Sequence, residues 1–374
     1  MKVKKLLIYP YGENAEILLW DKSFFRNYSD LETVYLCSPK GWRTKDLMIS
    51  NVSNKLEYDI CRENYSESIK SVELAIFTMS MYNDLTISKM EEAAKRGIVI
   101  YDLLKYNNRR QELQCICISN GGEYYYYNDN DSFSINVNEL YGIGLVELKT
   151  PIVTIGSQVC SIGQEFLEFG ITGFLRKEGY KTTLISSSYF AGLSENHEVP
   201  SCLNSVKYND TEQILLFNRY LKMVEKEETP DVIVLGIPGG MMPYTNELYG
   251  DFGMTALKMF QAMRPDFFVY CMPFDLYNEA MLNKIMNCIR YRFGSEVDCI
   301  NLCRKQVDWM RIDSMHPSTV PFIDVEEKRL DDYIENHTKD VAISFFSHTK
   351  HGDINKIGDQ ILNKLSHGVK KVVF

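Results

Sequence analysis

Short apolar segments that alternate with helical stretches most constrain the fold of this 374-residue chain. In the first third of the sequence, a helical stretch at 87–96 ends at Gly97, and apolar segments lie at 6–9, 33–37, 74–77 and 98–101. From Pro151 onward, helices are predicted at 166–178 and 211–228, and strands at 152–156, 182–186, 231–235, 267–272, 297–302 and 342–346. Apolar strands joined by helices are typical of parallel sheets covered by helices. The sequence therefore predicts an α/β fold with two open, mostly parallel sheets and flanking helices.

Changes in the pattern divide the chain into three regions. Residues 1–110 are predicted to form a small open α/β domain, and residues 150–374 a second, larger α/β domain. We interpret residues 111–149 as a β-rich connection, because apolar residues at 115–118 alternate poorly and tyrosines follow at 124–127. An exposed aromatic edge is the preferred interpretation of the tyrosines. A stacking platform is the alternative, although consecutive strand side chains point to opposite faces.

Composition and charge exclude several classes of partner. The chain carries 41 Lys and Arg against 50 Asp and Glu, a formal net charge of −9, so its overall field repels phosphate backbones. No apolar run reaches the length of about 18 residues that a membrane-spanning helix needs. The ten cysteines are scattered without a secretion signal, which is typical of reduced thiols. We expect a cytoplasmic protein without a nucleic-acid or membrane partner.

The most informative segment is an apolar strand that runs into a loop bounded by Gly156 and Gly163 and then into a helix. In such a loop, backbone N–H groups and the positive end of the helix dipole face an anion. The usual phosphate-binding motif places a lysine and a hydroxyl residue after its last glycine, whereas this chain has Gln164 and Glu165 there. The sequence therefore predicts an anion-binding shape without the residues needed for efficient NTP hydrolysis.

A second landmark is the Gly236-Ile237-Pro238-Gly239-Gly240 turn that follows the apolar strand at 231–235. Residues 150–300 resemble nucleotide hydrolases of the nitrogenase-iron-protein and dethiobiotin-synthetase superclass, in which the comparable strand ends in Asp-x-Pro-Gly. The resemblance implies that the second domain is P-loop-NTPase-like. It also implies a weakened Mg²⁺ site, because Gly236 stands where that superclass has the aspartate.

As a whole, the chain resembles the clostridial peptide-maturation-system family, which is found beside radical enzymes that modify ribosomally made natural-product peptides. The resemblance rests on the length, the small N-terminal domain, the loop from Gly156 to Gly163 and the turn at 236–240. It implies an accessory role in maturing a peptide, with a precursor peptide or a modifying enzyme as the partner.

These observations predict a ligand site at the edge of the second sheet. The candidate ligand-binding residues are Gly156, Ser157, Gln158, Cys160, Ser161, Gly163, Gln164, Glu165, Pro238, Gly239, Gly240 and Asp275. A nucleotide or phosphate is the candidate ligand, and neither a metal ligand nor a catalytic residue is assigned. The preferred function is an accessory protein that binds a peptide, a partner enzyme or an anionic ligand. The alternative is an ATP- or GTP-dependent ligase or kinase in which Lys181 or the region of Lys350 supplies the missing cation.

Three further candidates have simpler interpretations. Asp275 is also explained as the N-cap of the helix that begins near Glu279, and this interpretation is preferred. His348 and His351 have a spacing that suits zinc, but a surface loop with two ordinary histidines is favoured. Cys160 lies beside a helix N-terminus, where thiol pKa values fall, but the sequence identifies no histidine partner for a nucleophile.

Overall fold

Two parallel sheets organise the chain. The structure is a computed structural model, and it describes residues 3–12, 15, 17–18, 30–39, 59–62, 64–78, 83–104, 107–126, 141–142, 144–160, 162–193, 196–246, 248–312, 320–337, 343–350 and 352–366. One unit comprises Met1–Asp129 with Gly192–Glu195, and the other comprises Asn130–Ala191 with Asn196–Phe374. Each unit contains one of the two sheets.

The first unit is a six-stranded sheet in the order β3-β2-β1-β4-β5-β6, and every neighbouring pair is parallel. Its strands are β1 (Lys5–Tyr9), β2 (Thr33–Leu36), β3 (Asp59–Arg62), β4 (Leu74–Phe77), β5 (Val99–Asp102) and β6 (Tyr124–Tyr126). Its helices are α1 (Tyr65–Ser68), α2 (Asn83–Lys95) and α3 (Arg110–Ser119). The central strand β4 is buried throughout, as expected for an apolar strand between two layers of helices.

The predicted β-rich connection differs from the structure at residues 115–118. These residues belong to helix α3, which buries Leu113 and Cys117, four residues apart on one helical face. The expectation of a strand there was wrong, because short apolar runs do not distinguish a strand from a buried helix face. Strand β6 pairs with β5, so the first sheet extends past residue 110. Tyr125 and Tyr126 of this edge strand are exposed, whereas Tyr124 is buried.

The second unit contains a seven-stranded sheet in the order β15-β12-β11-β7-β10-β8-β9, again with parallel neighbours. Its strands are β7 (Ile152–Ser157), β8 (Thr182–Ser186), β9 (His197–Glu198), β10 (Val232–Gly240), β11 (Phe267–Pro273), β12 (Cys299–Cys303) and β15 (Ser344–Phe346). A separate antiparallel pair is formed by β13 (Lys305–Val307) and β14 (Phe322–Asp324).

The helices of the second unit are α4 (Gln164–Lys177), α5 (Asp210–Glu228), α6 (Met254–Ala262), α7 (Glu279–Phe293), α8 (Glu327–His337) and α9 (Asp353–Ser366). Helix α5 begins at a capping box, in which Asn209 and Glu212 each bond the backbone N–H of the other. In the described part of the chain, no helix is long and apolar enough to span a bilayer. The predicted α/β class with two mostly parallel, helix-flanked sheets is confirmed.

Strand β7 positions the candidate site. All six of its residues are buried, and it lies between β10 and β11 in the middle of the sheet. A strand buried on both faces requires a continuous apolar run, which the sequence supplies at this position. The loop that follows β7 therefore lies at the centre of the carboxyl edge, where open α/β sheets bind their ligands.

Candidate functional site

The loop 158–163 connects β7 to α4. At its start, the Gln158 N–H donates a hydrogen bond of 2.8 Å to the carbonyl oxygen of Cys271 on β11. At its end, Gly163 is the N-cap of α4 with φ of 89°, in the left-handed region that favours glycine. The first N–H groups of α4 have no partner within the helix and face the loop. The predicted strand, loop and helix arrangement is thus present, and Ser161 lies outside the described residues.

A cavity of about 150 Å³ lies beside this loop. Ligand pockets for drug-sized molecules measure roughly 300 to 1,000 Å³, so the cavity itself accommodates a group the size of phosphate or carboxylate. None of its described lining residues is lysine or arginine. It is lined by Ser157, Cys160, Ile162, Gln164, Glu165, Ser187, Pro238 and Gly239, of which Ile162 and Ser187 were not predicted from the sequence.

Two of the predicted glycines allow close packing and do not line the cavity. A Cβ at Gly156 would overlap the sulfur of Met241, and a Cβ at Gly240 would lie 3.0 Å from the Gln158 carbonyl oxygen. The end of β10 therefore approaches the loop backbone so closely that a side chain at position 240 would require the loop to shift. These two glycines shape the site by bringing its backbone segments together.

Gln164 occupies the position of the missing lysine, and hydrogen bonds hold its side chain in place. Its Nε2 carries two N–H groups and lies 2.7 Å from the Ile237 carbonyl oxygen, 2.9 Å from Glu168 Oε1 and 3.1 Å from Ser187 Oγ. The residue is only 5 % exposed, and its Oε1 has no hydrogen-bond partner among the described residues. The two N–H groups of the amide are therefore occupied by protein acceptors, and the side-chain oxygen remains an acceptor without a donor among the described residues.

Glu168 explains the glycine at position 236. Its fully buried carboxylate accepts hydrogen bonds from Ser186 Oγ at 2.5 Å, from Ser187 Oγ at 2.6 Å and from the Ser187 N–H at 3.0 Å. A Cβ at Gly236 would overlap this carboxylate. Burial raises the pKa of Glu168, and the hydrogen bonds from Ser186 and Ser187 oppose that rise. A helix residue thus fills the space beside Gly236 at this point of β10.

Sequence reasoning missed Glu168, although a signal was present. Glu168 lies four residues after Gln164, so both side chains lie on the same face of α4. Leu167, Ile171 and Leu175 of the same helix are buried, which marks that face as the inner one. A carboxylate on a buried face requires hydrogen-bond partners, and that requirement would have pointed to Ser186 and Ser187 at the end of β8.

Glu165 introduces a second carboxyl group in the first turn of α4. Burial raises its pKa to about 7, its own backbone N–H opposes the rise, and the neighbouring Glu168 adds to it. The carboxyl group is therefore partly protonated near neutral pH. A protonated carboxyl group can donate a hydrogen bond to an anion, whereas an ionised one repels it.

Asp275 lies outside the cavity lining and is not an N-cap. Asn278 caps α7, where its side chain accepts from the Met281 N–H, so the preferred interpretation of Asp275 was wrong. Asp275 instead accepts hydrogen bonds from the Tyr244 hydroxyl at 2.9 Å and from the Leu276 N–H at 2.7 Å. Its carboxylate is held at the rim of the sheet by these two donors.

The two lysines considered as replacements are engaged elsewhere. Lys181 directly precedes β8, at the amino edge of the sheet and opposite the loop, and its Nζ contacts Thr229 Oγ1 at 3.4 Å. Lys350 Nζ pairs with Glu335 at 3.2 Å and with Asp331 at 3.4 Å, both on α8. Neither ammonium group lines the cavity.

His348 is buried, which corrects the expectation of a surface loop. It is 7 % exposed and lies between the Asn301 side chain and the first turn of α4, where its ring stacks on Phe166 at a centroid distance of 6.0 Å. His351 lies outside the described residues. Among the residues that are described, no group of three or more His, Cys, Asp or Glu side chains could hold a metal ion.

Two buried cysteines lie beside His348. Asn301 Nδ2 contacts the sulfur of Cys303 at 3.3 Å and that of Cys271 at 3.6 Å. Burial raises the pKa of the Cys271 thiol. For Cys303, hydrogen bonding to Cys271 and the neighbouring imidazole together outweigh burial and lower the pKa. Cys160, the thiol considered from the sequence, is partly exposed in the cavity wall.

Comparisons with known proteins add evidence on the fold. No family model and no curated protein matches this sequence. A crystal structure of a DUF1611 family protein from Anabaena variabilis is similar at a TM-score of 0.62 and 10 % sequence identity, and the match covers 98 % of this chain and 100 % of that one. This similarity extends over both units and shows the fold alone.

A second solved structure in the comparison is LpxK from Aquifex aeolicus in complex with ATP. It matches at 13 % identity and a TM-score of 0.22, covering 56 % of this chain and 75 % of that one. A similarity at this TM-score carries no argument about the present protein.

Proposed function

We propose that the second unit binds a small anionic group, phosphate or carboxylate, at the loop 158–163 and does not hydrolyse a nucleoside triphosphate. The observation that carries this proposal is the hydrogen-bonded pair of Gln164 and Glu168. The pair fills the positions of the phosphate-binding lysine and the metal-linked aspartate with a neutral amide and a buried carboxyl group. Without a fixed cation, the charge that develops on a transferring phosphoryl group has no stabilising partner.

The cavity supports a single small anion. Its volume of about 150 Å³ suits one phosphate or carboxylate group. Ser157 and Ser187 lie in its wall, but their hydroxyl groups donate to the Gly239 carbonyl oxygen and to Glu168 Oε1. The N-terminus of α4 contributes backbone N–H groups and the positive end of the helix dipole. Burial raises the pKa of Glu165 to about 7, so the protonated fraction of this carboxyl group adds a side-chain donor. The backbone N–H groups at the start of α4 are thus the main donors that an anion of low charge would meet.

We propose further that this binding serves the maturation of a ribosomally made peptide, with a precursor peptide or a modifying enzyme as the partner. The support for this role is the sequence resemblance described above. A peptide presents carboxylate groups at its C-terminus and on its acidic side chains, which match the size of the cavity. A gene for a radical enzyme and a gene for a short precursor peptide beside this one would support the role, and the absence of both would argue against it.

Calorimetric titration distinguishes the binding protein from an NTP-dependent enzyme. Inorganic phosphate and acetate are expected to bind, and Mg²⁺ is expected not to tighten the binding of ATP or GTP. Gly163→Ala should weaken anion binding, because a side chain at φ of 89° strains the loop. Gly173→Ala on the same helix is the matched control, because a Cβ there meets no atom within 4 Å. Micromolar, Mg²⁺-dependent ATP affinity with turnover that Gly163→Ala abolishes would establish the enzyme instead.

A further inference from the structure

The side-chain oxygen of Gln164 is a buried acceptor without a donor. Gln164 is 5 % exposed, and among the described residues no donor lies within hydrogen-bond distance of its Oε1. The amide orientation is settled by Nε2, which lies 2.7 Å from the Ile237 carbonyl oxygen, an atom that only accepts. Buried polar atoms are nearly always satisfied, so an unpartnered oxygen on a residue that lines a cavity indicates a missing donor.

The surroundings of this oxygen supply further acceptors and no cation. Glu165 lines the same cavity, and the Glu168 carboxylate lies 2.9 Å from the Gln164 amide nitrogen. The hydroxyl groups of Ser157 and Ser187 donate to other protein acceptors. No lysine or arginine is among the described lining residues. We therefore expect the occupant of the cavity to bring the donor that Gln164 Oε1 lacks.

The same residue also limits how far apart the occupant's acceptor and donor lie. Gln164 is the first residue of α4, so its backbone N–H belongs to the first N–H groups, which have no partner within the helix. Its Oε1 is only one side chain away from that N–H. A carboxylate with an N–H group on the adjacent carbon has an acceptor and a donor at such a short spacing, whereas acetate has acceptors only.

Charge also favours a carboxylate over a phosphate. A carboxylate carries one negative charge, whereas a phosphate monoester carries about −1.5 to −2 at pH 7. The described wall holds Glu165 and no cation, so the larger charge has less to balance it.

We propose that the loop 158–163 binds a carboxylate whose adjacent carbon carries an N–H group, with the carboxylate at the first N–H groups of α4 and the donor at Gln164 Oε1. This inference rests on the proposed anion binding and narrows it to one chemical class. Two sources present this chemistry: a peptide C-terminus, through its last amide N–H, and a free amino acid, through its ammonium group. Gln164 is then a specificity-determining residue, since its oxygen distinguishes such a ligand from a simple carboxylate.

Calorimetric titration of the wild-type protein with matched ligands tests the donor directly. N-acetylglycine carries an amide N–H beside its carboxylate, and acetoxyacetate has an ester oxygen in the same place and nearly the same shape. We expect N-acetylglycine to bind about 3- to 10-fold more tightly, the gain from one net hydrogen bond. Glycine distinguishes the sources: tighter binding than that of N-acetylglycine indicates a free amino acid, and weaker binding indicates a peptide C-terminus.

Gln164→Met tests whether the side-chain oxygen causes the preference, because methionine has a similar length and lacks the amide. This variant is expected to lose the preference for the ligand that carries the N–H. Gln213→Met is the matched control and should keep it. Gln213 lies on α5, is equally buried, and its amide oxygen accepts from Lys258 Nζ. The comparison of ligands on the wild-type protein stands even if Gln164→Met does not fold.

The outcomes separate this inference from the proposed function. If N-acetylglycine gains nothing over acetoxyacetate and glycine gains nothing over acetate, the inference is overturned while the proposed function stands. Binding of inorganic phosphate without binding of any of these carboxylates would have the same consequence. A preference that persists in Gln164→Met would overturn the role of Gln164. Absence of binding of phosphate and of all four carboxylates by the wild-type protein would overturn both.

Discussion

Gln164 and Glu168 account for most of what the candidate site can and cannot do. The Gln164 amide donates to the Glu168 carboxylate at 2.9 Å, and Gln164 Oε1 has no hydrogen-bond partner among the described residues. Two serines complete the shell of the carboxylate. A buried carboxylate with several donors is stable where it lies, and removal of its partners would leave an uncompensated buried group. We therefore expect that a lysine introduced at position 164 does not by itself create a nucleotide site.

Gln164→Lys is the direct test at this position. We expect the new ammonium group to pair with Glu168, because that carboxylate already receives the Gln164 amide. The lysine would then be unable to reach a phosphate, so the variant should show no Mg²⁺-dependent ATP hydrolysis. A phosphate-release assay measures this, with Gln164→Leu as the control that supplies no charge. ATP hydrolysis by the Gln164→Lys variant but not by Gln164→Leu would mean that the new lysine does not pair with Glu168.

Glu165 makes stability depend on pH. The folded protein keeps the Glu165 proton up to about pH 7, whereas the unfolded chain releases it near the ordinary value of 4.5. Between these values the folded state binds more protons, so the free energy of unfolding falls as pH rises through the interval and stays lowered above it. Glu165→Gln should lack this loss, which we expect to be about 1 to 3 kcal/mol. Denaturant unfolding from pH 4.5 to 8 measures the difference, and parallel pH profiles of the two proteins would contradict it.

At the scale of elements, the site depends on how closely α4 packs on β10. The helix approaches the strand at Gly236, where the absence of a side chain makes room for the Glu168 carboxylate. Helices α4 and α9 also pack closely, at Gly170 of α4 and Gly358 of α9. A Cβ at Gly170 would overlap Ile354, and a Cβ at Gly358 would overlap Phe174. Glycines thus set the distance between the helix and both of its neighbours.

Gly236→Ala tests the contact between α4 and β10. The added methyl group would overlap the Glu168 carboxylate, and we expect the free energy of unfolding to fall by about 1 to 3 kcal/mol, as for overpacked cores. In a Glu168→Ala background the space is open, so Gly236→Ala should lower the free energy of unfolding by a smaller amount. This double-mutant cycle, measured by denaturant unfolding, isolates the contact. Additive effects of the two substitutions would contradict it, and Gly173→Ala in the same helix should be neutral or stabilising.

At the scale of the whole molecule, ligand binding belongs to the second unit. A ligand that binds only the folded state stabilises it in proportion to the logarithm of its concentration above Kd. Hydrogen exchange followed by mass spectrometry should therefore show slower exchange in the loop 158–163 and in α4 when phosphate is added. The strands β1 to β6 of the first unit should exchange at an unchanged rate. Protection confined to the first unit would place the anion elsewhere, and sodium chloride at equal ionic strength is the control.

The degree to which the sequence predicted the structure differed between kinds of feature. Strands with continuous apolar runs, such as β7 and β11, were predicted nearly to the residue, because burial on both faces demands such runs. Helix α3 was predicted as strand, because its apolar residues are too few to show the 3.6-residue periodicity of an amphipathic helix. The helix cap at Asn278 was assigned to Asp275, three residues earlier, because both side chains can cap.

The sequence by itself determined the two parallel sheets, the loop between β7 and α4, and the absence of a lysine at position 164. These follow from hydrophobic period, turn chemistry and residue identity, which are local properties of the chain. Only the tertiary structure decided that Glu168 fills the space beside Gly236 and that His348 faces Gly163. Both contacts depend on the strand order β15-β12-β11-β7-β10 and on the distance between a helix and a sheet, which arise from packing across residues far apart in the sequence.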